Sequence, residues 1–413
     1  AKLHNALARA TGNSQVQVQG LDALEVMHLD KAAEALLANR GRSVVICGVN
    51  DVSVQLLVAS INQMLGNYND TLLMNRASYQ KQGNDVAMAR FIEDLVAGRV
   101  GGVIFYNCNP VYDHPWGERI EAAISKATVS VATADRLNET ASICTYNCPD
   151  SHYLESWNDA EPRKGHFSLC QPAISRIFDT RQAQDTFLKW AGSDTDYYDF
   201  LTANWQSSIF SAQSNIQEFE KFWQNSLHDG VFELPDDALA GYTSVHAGEV
   251  TEVEGMESAT SEESVPAQMS MSAVASDLSK NYKVDNGELE LVLYANTVIG
   301  DGTNANNPML QETPEGVSKV CWGHYVAVSP SLAKELQVDY VFENKVPVVS
   351  VTVDGMEATL PVIVQPGMEK RTIGISVGYG RGYDKAGKVA GQAGGVNAYR
   401  LANFANVLNY YRT

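Results

Sequence analysis

Six cysteines stand at positions 47, 108, 144, 148, 170 and 321, and only Cys144 and Cys148 are close enough in the chain to share a ligand. A zinc or iron–sulfur site needs further thiols or imidazoles at similar spacing. None follows, so the expectation is buried free thiols; a Cys144–Cys148 disulfide would close a very short loop. The eight histidines are scattered, with no H-x3-H or H-E-x-x-H pair to bind a metal. Glu155-Ser156 with His152 or His166 supplies the residue types for nucleophilic catalysis, but no G-x-S-x-G elbow surrounds Ser156. Asp236-Asp237 follow Pro235 and read as a solvated loop. Gly378-Tyr-Gly-Arg-Gly382 has the composition of a phosphate-cradling loop but lacks the following helix whose N-terminus would face an anion.

The remaining polar candidates are defined by the elements that would carry them. Ser43-Val-Val-Ile-Cys47 reads as a strand ending at Gly48. Asp51 can cap a helix with Val54, Leu57, Val58, Ile61, Met64 and Leu65 at helical spacing, stopped by Gly66. A second helix starts at Asn84 or Asp85, buries Met88, Phe91, Ile92 and Leu95, and stops at Gly98. Gly102 to Tyr106 is a strand, Trp116 to Ala127 a helix, and Val129 to Thr133 a strand. Strands alternating with amphipathic helices predict a doubly wound parallel sheet. In such sheets ligands bind beyond the carboxyl ends of the strands. That singles out Asn50-Asp51, Asn107-Cys108-Asn109-Pro110 and Ala134-Asp135.

Beyond Glu139 the texture is irregular to Phe178, and then helical, with Asp179 as a cap for Phe187 and Trp190. Tyr197, Phe200, Leu201, Trp205, Phe219, Phe222 and Trp223 recur at spacings expected of core helices. No Lys or Arg occurs between Lys221 and Lys280, and Gly248 to Met271 has few large apolar groups, the signature of a flexible acidic linker. From Glu288 the chain becomes β-rich: Leu289 to Tyr294, Val320 to Val328, Tyr340-Val-Phe342, Val348 to Val353 and Leu360 to Val364. Asp354-Gly355 is a hairpin turn, and Ser329-Pro330 opens a short helix. The expected divisions are a parallel-sheet α/β domain (1–138), an irregular and helical segment completing a second α/β domain (139–240), an acidic linker (241–285), a β-barrel (286–380) and a glycine-rich tail (381–413).

The net charge of −19 argues against nucleic acid and against direct contact with anionic lipid, and suits either a solvated acidic surface that keeps the protein soluble or docking to a basic partner such as a small cytochrome. No apolar run approaches the length of a transmembrane helix. Ala1-Lys2-Leu3-His4 carries no targeting signal and reads as the start of a processed or partial chain.

The order of these features resembles the molybdopterin oxidoreductase superfamily. Tyr106-Asn-Cys-Asn-Pro110 is similar to that family's strand-end Asn-Pro turn. Val129 to Ala134, then Glu139-Thr140-Ala141 and Cys148-Pro149, follow in its order. Asn307-Pro-Met-Leu-Gln-Glu312, Trp322, Ser329-Pro330 with Ala333, Val353-Asp354-Gly355, Gln365-Pro366-Gly367 and Gly378-Tyr-Gly380 track its C-terminal double-psi barrel. Tyr106 to Tyr112, His152-Tyr-Leu-Glu-Ser-Trp157, Gln171-Pro172, Phe178-Asp-Thr-Arg-Gln182 with Trp190, and Gly395-Val-Asn-Ala-Tyr399 resemble the large iron–sulfur and molybdopterin-like subunit of bacterial alternative complex III.

The resemblance implies a six-stranded double-psi-like barrel after the parallel sheet. It implies vestigial pterin-site positions at Asn50, Asn109, Asp135, Glu155, Gly165, Gly378 and Gly380, with no catalytic residue and no metal in this segment. Active members continue beyond E-T-A with donors around the pterin phosphates; here Glu155 is followed by Ser-Trp-Asn-Asp-Ala-Glu-Pro-Arg-Lys-Gly165, which matches only loosely. Molybdopterin is therefore not expected, and iron–sulfur clusters are expected in a portion outside this chain. The implied role is a non-catalytic, periplasmic part of a menaquinol-oxidising complex, beside a multihaem cytochrome and a quinol-oxidising membrane subunit, passing electrons toward cytochrome c or a terminal oxidase. Two alternatives stand beside it: a segment of an active bis-molybdopterin-guanine-dinucleotide oxidoreductase of the polysulfide or thiosulfate reductase type, and a stand-alone nucleotide-binding module using Asn50, Asn109 and Asp135.

Overall fold

A computed structural model describes residues 1–23, 25–80, 83–242, 270–281, 289–339, 345–404, 408–409 and 411–412. The expected strand Tyr340-Val-Phe342 and most of the expected acidic linker lie outside the described residues. The strands, in chain order, are β1 (Gly102–Phe105), β2 (Val129–Ala132), β3 (Tyr146–Asn147), β4 (Asn158–Arg163), β5 (His166–Cys170), β6 (Val231–Glu233), β7 (Glu290–Tyr294), β8 (Val326–Val328), β9 (Val348–Val353), β10 (Met356–Val364), β11 (Thr372–Ser376), β12 (Asn403–Phe404), β13 (Leu408–Asn409) and β14 (Tyr411–Arg412).

The chain divides into two discontinuous units. The first gathers Ala1–Gly83, Tyr153–Ser175 and Asp194–Asn286; the second gathers Asn84–His152, Arg176–Ser193 and Gly287–Thr413. Texture along the chain does not reveal this interleaving, because long-range contacts define it.

In the second unit, β1, β2 and β3 form a parallel sheet, with Gly102 opposite Val129 and Val131 opposite Tyr146. The helix Asp85–Val96 starts where Asn84 accepts a hydrogen bond from the Ala87 N–H at 3.0 Å, satisfying one of the first-turn donors that have no partner within the helix. Its Ile92 and Leu95 pack with Phe105 of β1 and with Ile120, Ala123 and Ile124 of the helix Gly117–Ile124. The helix Ala183–Trp190 begins later than the Asp179 expectation: the Asp150 carboxylate, distant in sequence, accepts from the Ala183 N–H at 2.8 Å.

The same unit holds a curled mixed sheet in the order β14-β7-β11-β8-β10-β9. The pairs β7/β11 and β8/β10 are parallel and the others antiparallel. Asp354 and Gly355, at φ 49° and 81°, make the tight turn between β9 and β10 as their sequence predicts. Leu291, Leu293, Val326, Val328, Leu360, Val362, Ile373 and Ile375 form its core. The strand expected over Val320 to Val328 is confined to Val326–Val328, because Lys319 and Trp322 take positive φ and the Glu315 carboxylate binds the N–H groups of Val317 and Ser318 at 2.8 and 2.7 Å. The sequence pattern does not mark β11, whose Gly374 interrupts the apolar run. The glycine-rich segment is not a loose tail: Ala398, Tyr399 and Leu401 are in the core.

The first unit is helical around an antiparallel sheet β4-β5-β6. That hairpin lies inside the segment expected to be irregular, where Gly165 makes the turn at φ 77°. Phe167, Leu201, Trp205, Phe222 and Trp223 bury together, as the aromatic spacing predicts, and the Trp205 indole donates to Asp159 at 2.9 Å. The helix Val52–Leu65 is capped by Asp51, which accepts from the Val54 N–H at 2.9 Å, and ends at Gly66 with φ 66°. One strand expectation fails. Residues 43–50 belong to no strand or sheet among the described residues, and side chains of that helix hold their backbone.

The linker expectation also needs correction at its end. Met271–Asn281 is a helix, with Val274, Ala275 and Leu278 buried against Val16 and Leu57. The Ser53 hydroxyl donates to Asp277 at 2.7 Å. Two apolar positions at i and i+4 suffice for a short packed helix even in polar surroundings. Leu278→Ala is therefore expected to cost about 2–4 kcal/mol in urea unfolding, whereas a solvated linker would tolerate it within about 0.5 kcal/mol.

Candidate functional site

The tip of β1 carries the most concentrated polar network described. After Phe105, Asn107 takes φ 48°, a left-handed conformation that asparagine tolerates better than most residues. Asn109 then leads into the one-turn helix Pro110–Asp113, whose proline sits at the first helical position, where a missing N–H is harmless. The Asn109 side chain turns toward the segment after β2. Its Oδ1 accepts from the Thr140 N–H at 3.0 Å and the Thr140 hydroxyl at 2.8 Å, and its Nδ2 donates to Glu139 Oε2 at 2.8 Å. Thr140 Oγ1 in turn accepts from the Val111 N–H at 3.1 Å.

Arg381, inside the glycine-rich segment, meets Glu139 side-on. Its Nε donates to Oε1 and its terminal nitrogen to Oε2, both at 2.7 Å. The guanidinium also donates to the Gly302 carbonyl and lies 4.4 Å from the centre of the Tyr112 ring. Both side chains are almost fully removed from water, at 6% exposure for Arg381 and 8% for Glu139. Burial pushes the Glu139 carboxyl up, but the Arg381 hydrogen bonds and charge, with Asn109, outweigh it and hold the group below the usual carboxylate range. Tyr112 completes the joint: its hydroxyl donates to the Tyr379 carbonyl at 2.7 Å, and its own carbonyl accepts from Asn397 Nδ2 at 2.8 Å.

The two glycines flanking Tyr379 are spaces filled by the chain itself. A Cβ on Gly378 would fall 2.9 Å from Ile299 Cγ2 and 3.0 Å from the Gly300 carbonyl oxygen. One on Gly380 would fall 2.2 Å from the backbone of Val396 and Asn397. Beneath them His324, buried, stacks on Tyr379 at 4.9 Å between ring centres. Its Nε2 donates to the Ser376 carbonyl at 2.7 Å and its Nδ1 accepts from the Val396 N–H at 3.2 Å, which requires the neutral ring. Burial accordingly lowers its pKa to about 4.

The sequence candidates are therefore dispersed. Asn109 is in the network and Gly378 and Gly380 adjoin it. Asp135 belongs to the same unit but pairs with Arg136 at 2.7 Å in partly exposed surroundings. Asn50, Glu155 and Gly165 belong to the first unit. There Gly165 is a hairpin glycine, whose Cβ would fall 2.4 Å from Leu239 Cδ1. Glu139, Arg381, Tyr112 and His324 were not singled out as site residues. The available signal for Arg381 was an arginine set between two glycines.

All six cysteines are free, and none is fully buried, contrary to the buried-thiol expectation. Crowding around Cys108, together with Asp113 and Cys144, pushes its thiol up to about 11 although part of it reaches solvent, so it is protonated at neutral pH. Among the described residues no group of three or more His, Cys, Asp or Glu side chains could hold a metal ion, and no helix is long and apolar enough to cross a membrane. What the arrangement does chemically is hold a sheet tip and a glycine-rich segment in one fixed geometry.

No protein-family model matches the chain. Over 94 residues, 22% of its length, the chain is 32% identical to the menaquinone reductase, molybdopterin-binding-like subunit, of Nitratidesulfovibrio vulgaris (strain Hildenborough). That stretch spans 14% of the relative. Acetylene hydratase from Pelobacter acetylenicus aligns with a TM-score of 0.48 at 11% identity, over 80% of this chain and 46% of that one.

Glu139→Ala leaves Arg381 buried without a counter-charge and is expected to destabilise by about 3–5 kcal/mol, whereas the double variant Glu139→Gln with Arg381→Met should lose less than the two single changes combined. Because the folded Glu139 pKa is depressed, the pair's contribution is complete above the unfolded value of roughly 4.3 and lost as pH falls through the folded value. His324 acts over a higher range. Its folded pKa lies below the unfolded value of roughly 6.5, so stability on the order of 3 kcal/mol present above that pH drains away toward pH 4. Equilibrium unfolding between pH 4 and 7 should show this slope in the parent protein and a flatter one in His324→Gln.

Proposed function

We propose that this chain is the non-catalytic, molybdopterin-oxidoreductase-like portion of a menaquinone-linked respiratory complex, in the manner of alternative complex III. In this reading it scaffolds electron transfer from menaquinol toward cytochrome c or a terminal oxidase. The curled mixed sheet takes the place of the double-psi barrel. Its neighbours are a multihaem cytochrome and a quinol-oxidising membrane subunit, and the assembly faces the periplasm. Iron–sulfur clusters belong to a portion outside this chain.

The observation that carries the non-catalytic part is the saturation of Arg381. A pterin dinucleotide presents phosphates, and phosphates need cations and free N–H donors. The arginine of the Gly378–Gly382 stretch is engaged by Glu139, by Gly302 and by the Tyr112 ring. The spaces beside Gly378 and Gly380 are occupied by residues 299–300 and 396–397. These residues do not fit a phosphate. The likeness to a molybdopterin-binding-like subunit of a menaquinone reductase supports the redox class and the quinone. The acidic surface, net −19, suits electrostatic docking of a basic electron carrier.

The test is to isolate the tagged chain from its native membranes and measure molybdenum, pterin fluorescence, haem and iron. Molybdenum and pterin far below one per chain, with haem and iron–sulfur partners co-purifying, is the expected result. Stoichiometric molybdenum would overturn the non-catalytic reading. Assay in both directions then decides the quinone chemistry, since an assembly that only reduces menaquinone would exclude the quinol-oxidising role.

A further inference from the structure

Residues 176–193 are an excursion of the chain. The stretches on either side, Tyr153–Ser175 and Asp194–Asn286, belong to the first unit, whereas Arg176–Ser193 belongs to the second. The excursion lays the helix Ala183–Trp190 on the tips of the parallel sheet. Its anchors follow the strands directly: Tyr106 is the residue after β1, Thr133 the residue after β2, and Asp150 and Ser151 come shortly after β3. Asp150 Oδ1 accepts from the N–H groups of Ser151 and Ala183, both at 2.8 Å. The hydroxyls of Ser151 and Thr180 lie 3.1 Å apart. Gln184 Nε2 donates to the Tyr106 hydroxyl at 3.1 Å, and the Phe187 ring meets the Tyr106 ring edge-on, with 5.4 Å between centres.

These grips are polar except for the one ring contact. Among the described residues none of the segment joins an apolar cluster of the second unit. Phe178 and Trp190 keep 75% and 50% of their surface outside the core. An element with few buried apolar contacts opens at a lower free energy than the core beside it. Closure also carries a cost. The Thr133 N–H donates to the Phe105 carbonyl, which continues the parallel register and sets Thr133 beside Tyr106, on the face that carries the helix. Thr133 Oγ1 and Gln184 Oε1 are buried with no hydrogen-bond partner among the described residues. A buried polar atom left unpaired opposes the closed state, and opening to water relieves it.

Parallel sheets of α/β folds bind ligands beyond the carboxyl ends of their strands. Here a segment of the same chain stands at that end. We infer that residues 176–193 are a strap, latched across the tips of β1, β2 and β3 by Asp150, which opens as a unit while the sheet stays folded. Opening uncovers Tyr106 and Thr133; closure holds them against the helix. Neither cofactor content nor the respiratory partners enter into this behaviour, which belongs to the chain alone.

Native-state hydrogen exchange of the full chain in low urea, read by mass spectrometry, tests it. Peptides within 183–190 should exchange at least about tenfold faster than those of β1 and β2, with less dependence on urea. Asp150→Ala should speed the 183–190 amides by a further factor of roughly five and leave β1 and β2 unchanged. Asp150→Asn should stay close to the parent protein, because both N–H groups bind the one oxygen that an amide retains. Hydroxyl-radical footprinting should mark Tyr106 more heavily in Asp150→Ala than in the parent. One common exchange rate for 183–190 and the strands of the parent protein would overturn the strap, and that measurement decides even where Asp150→Ala does not fold. A folded Asp150→Ala with unchanged 183–190 exchange, or with Tyr106 marked as in the parent, would also overturn it. All of these results leave the respiratory reading in place, since that reading fails on stoichiometric molybdenum instead.

Discussion

A buried arginine without a carboxylate is untenable, and the second unit is organised around that constraint. Arg381 arrives on a glycine-rich segment that could not otherwise choose a path, and Glu139 arrives on the turn after β2. Their two parallel hydrogen bonds fix both segments at once, with Asn109 holding the carboxylate from the strand-tip side. Low dielectric makes this contact directional and makes its loss expensive. Tyr112 extends the joint, because its ring lies under the guanidinium while its hydroxyl and carbonyl bind the glycine-rich segment. The parallel sheet and the mixed sheet of this unit are thus coupled through polar groups as well as through the apolar cluster that includes Tyr112 and Tyr399.

Elsewhere the same device recurs on a smaller scale. Side chains remote in sequence accept or donate where regular secondary structure would have used backbone. Asp150 caps the helix Ala183–Trp190, Glu315 binds two successive N–H groups ahead of β8, and Asn62 with Gln55 secures the segment around Val45 to Val49. Each keeps a buried or half-buried backbone group satisfied. Each also makes the local conformation dependent on a residue that could be positioned only by folding.

This has a functional sense. In a catalytic pterin site, polar groups must remain available to the ligand. Here the convergent groups satisfy one another, and a neutral His324 lies beneath Tyr379 with both ring nitrogens engaged. That closure fixes the strand tip and the glycine-rich segment in one geometry.

Much of the local structure was legible in the sequence. Asp51 and Gly66 bound their helix as residue types predict, Asp354-Gly355 made its hairpin, and of the aromatics from Tyr197 to Trp223, Trp205, Phe222 and Trp223 proved to be core while Phe200 is half exposed. These features depend on neighbours within a few positions, where capping, turn chemistry and periodicity act. Tertiary structure alone decided the rest. It grouped Asn84 with residues as far along the chain as Phe404, and assigned Asn109 to one unit and Glu155 and Gly165 to the other. It paired Glu139 with Arg381 across 242 residues, capped a helix from Asp150, and left the Ser43 to Cys47 segment without a ladder among the described residues. Charge neutralisation and strand pairing are satisfied by whichever group folding brings within about 3 Å, and no local pattern in the chain names that group.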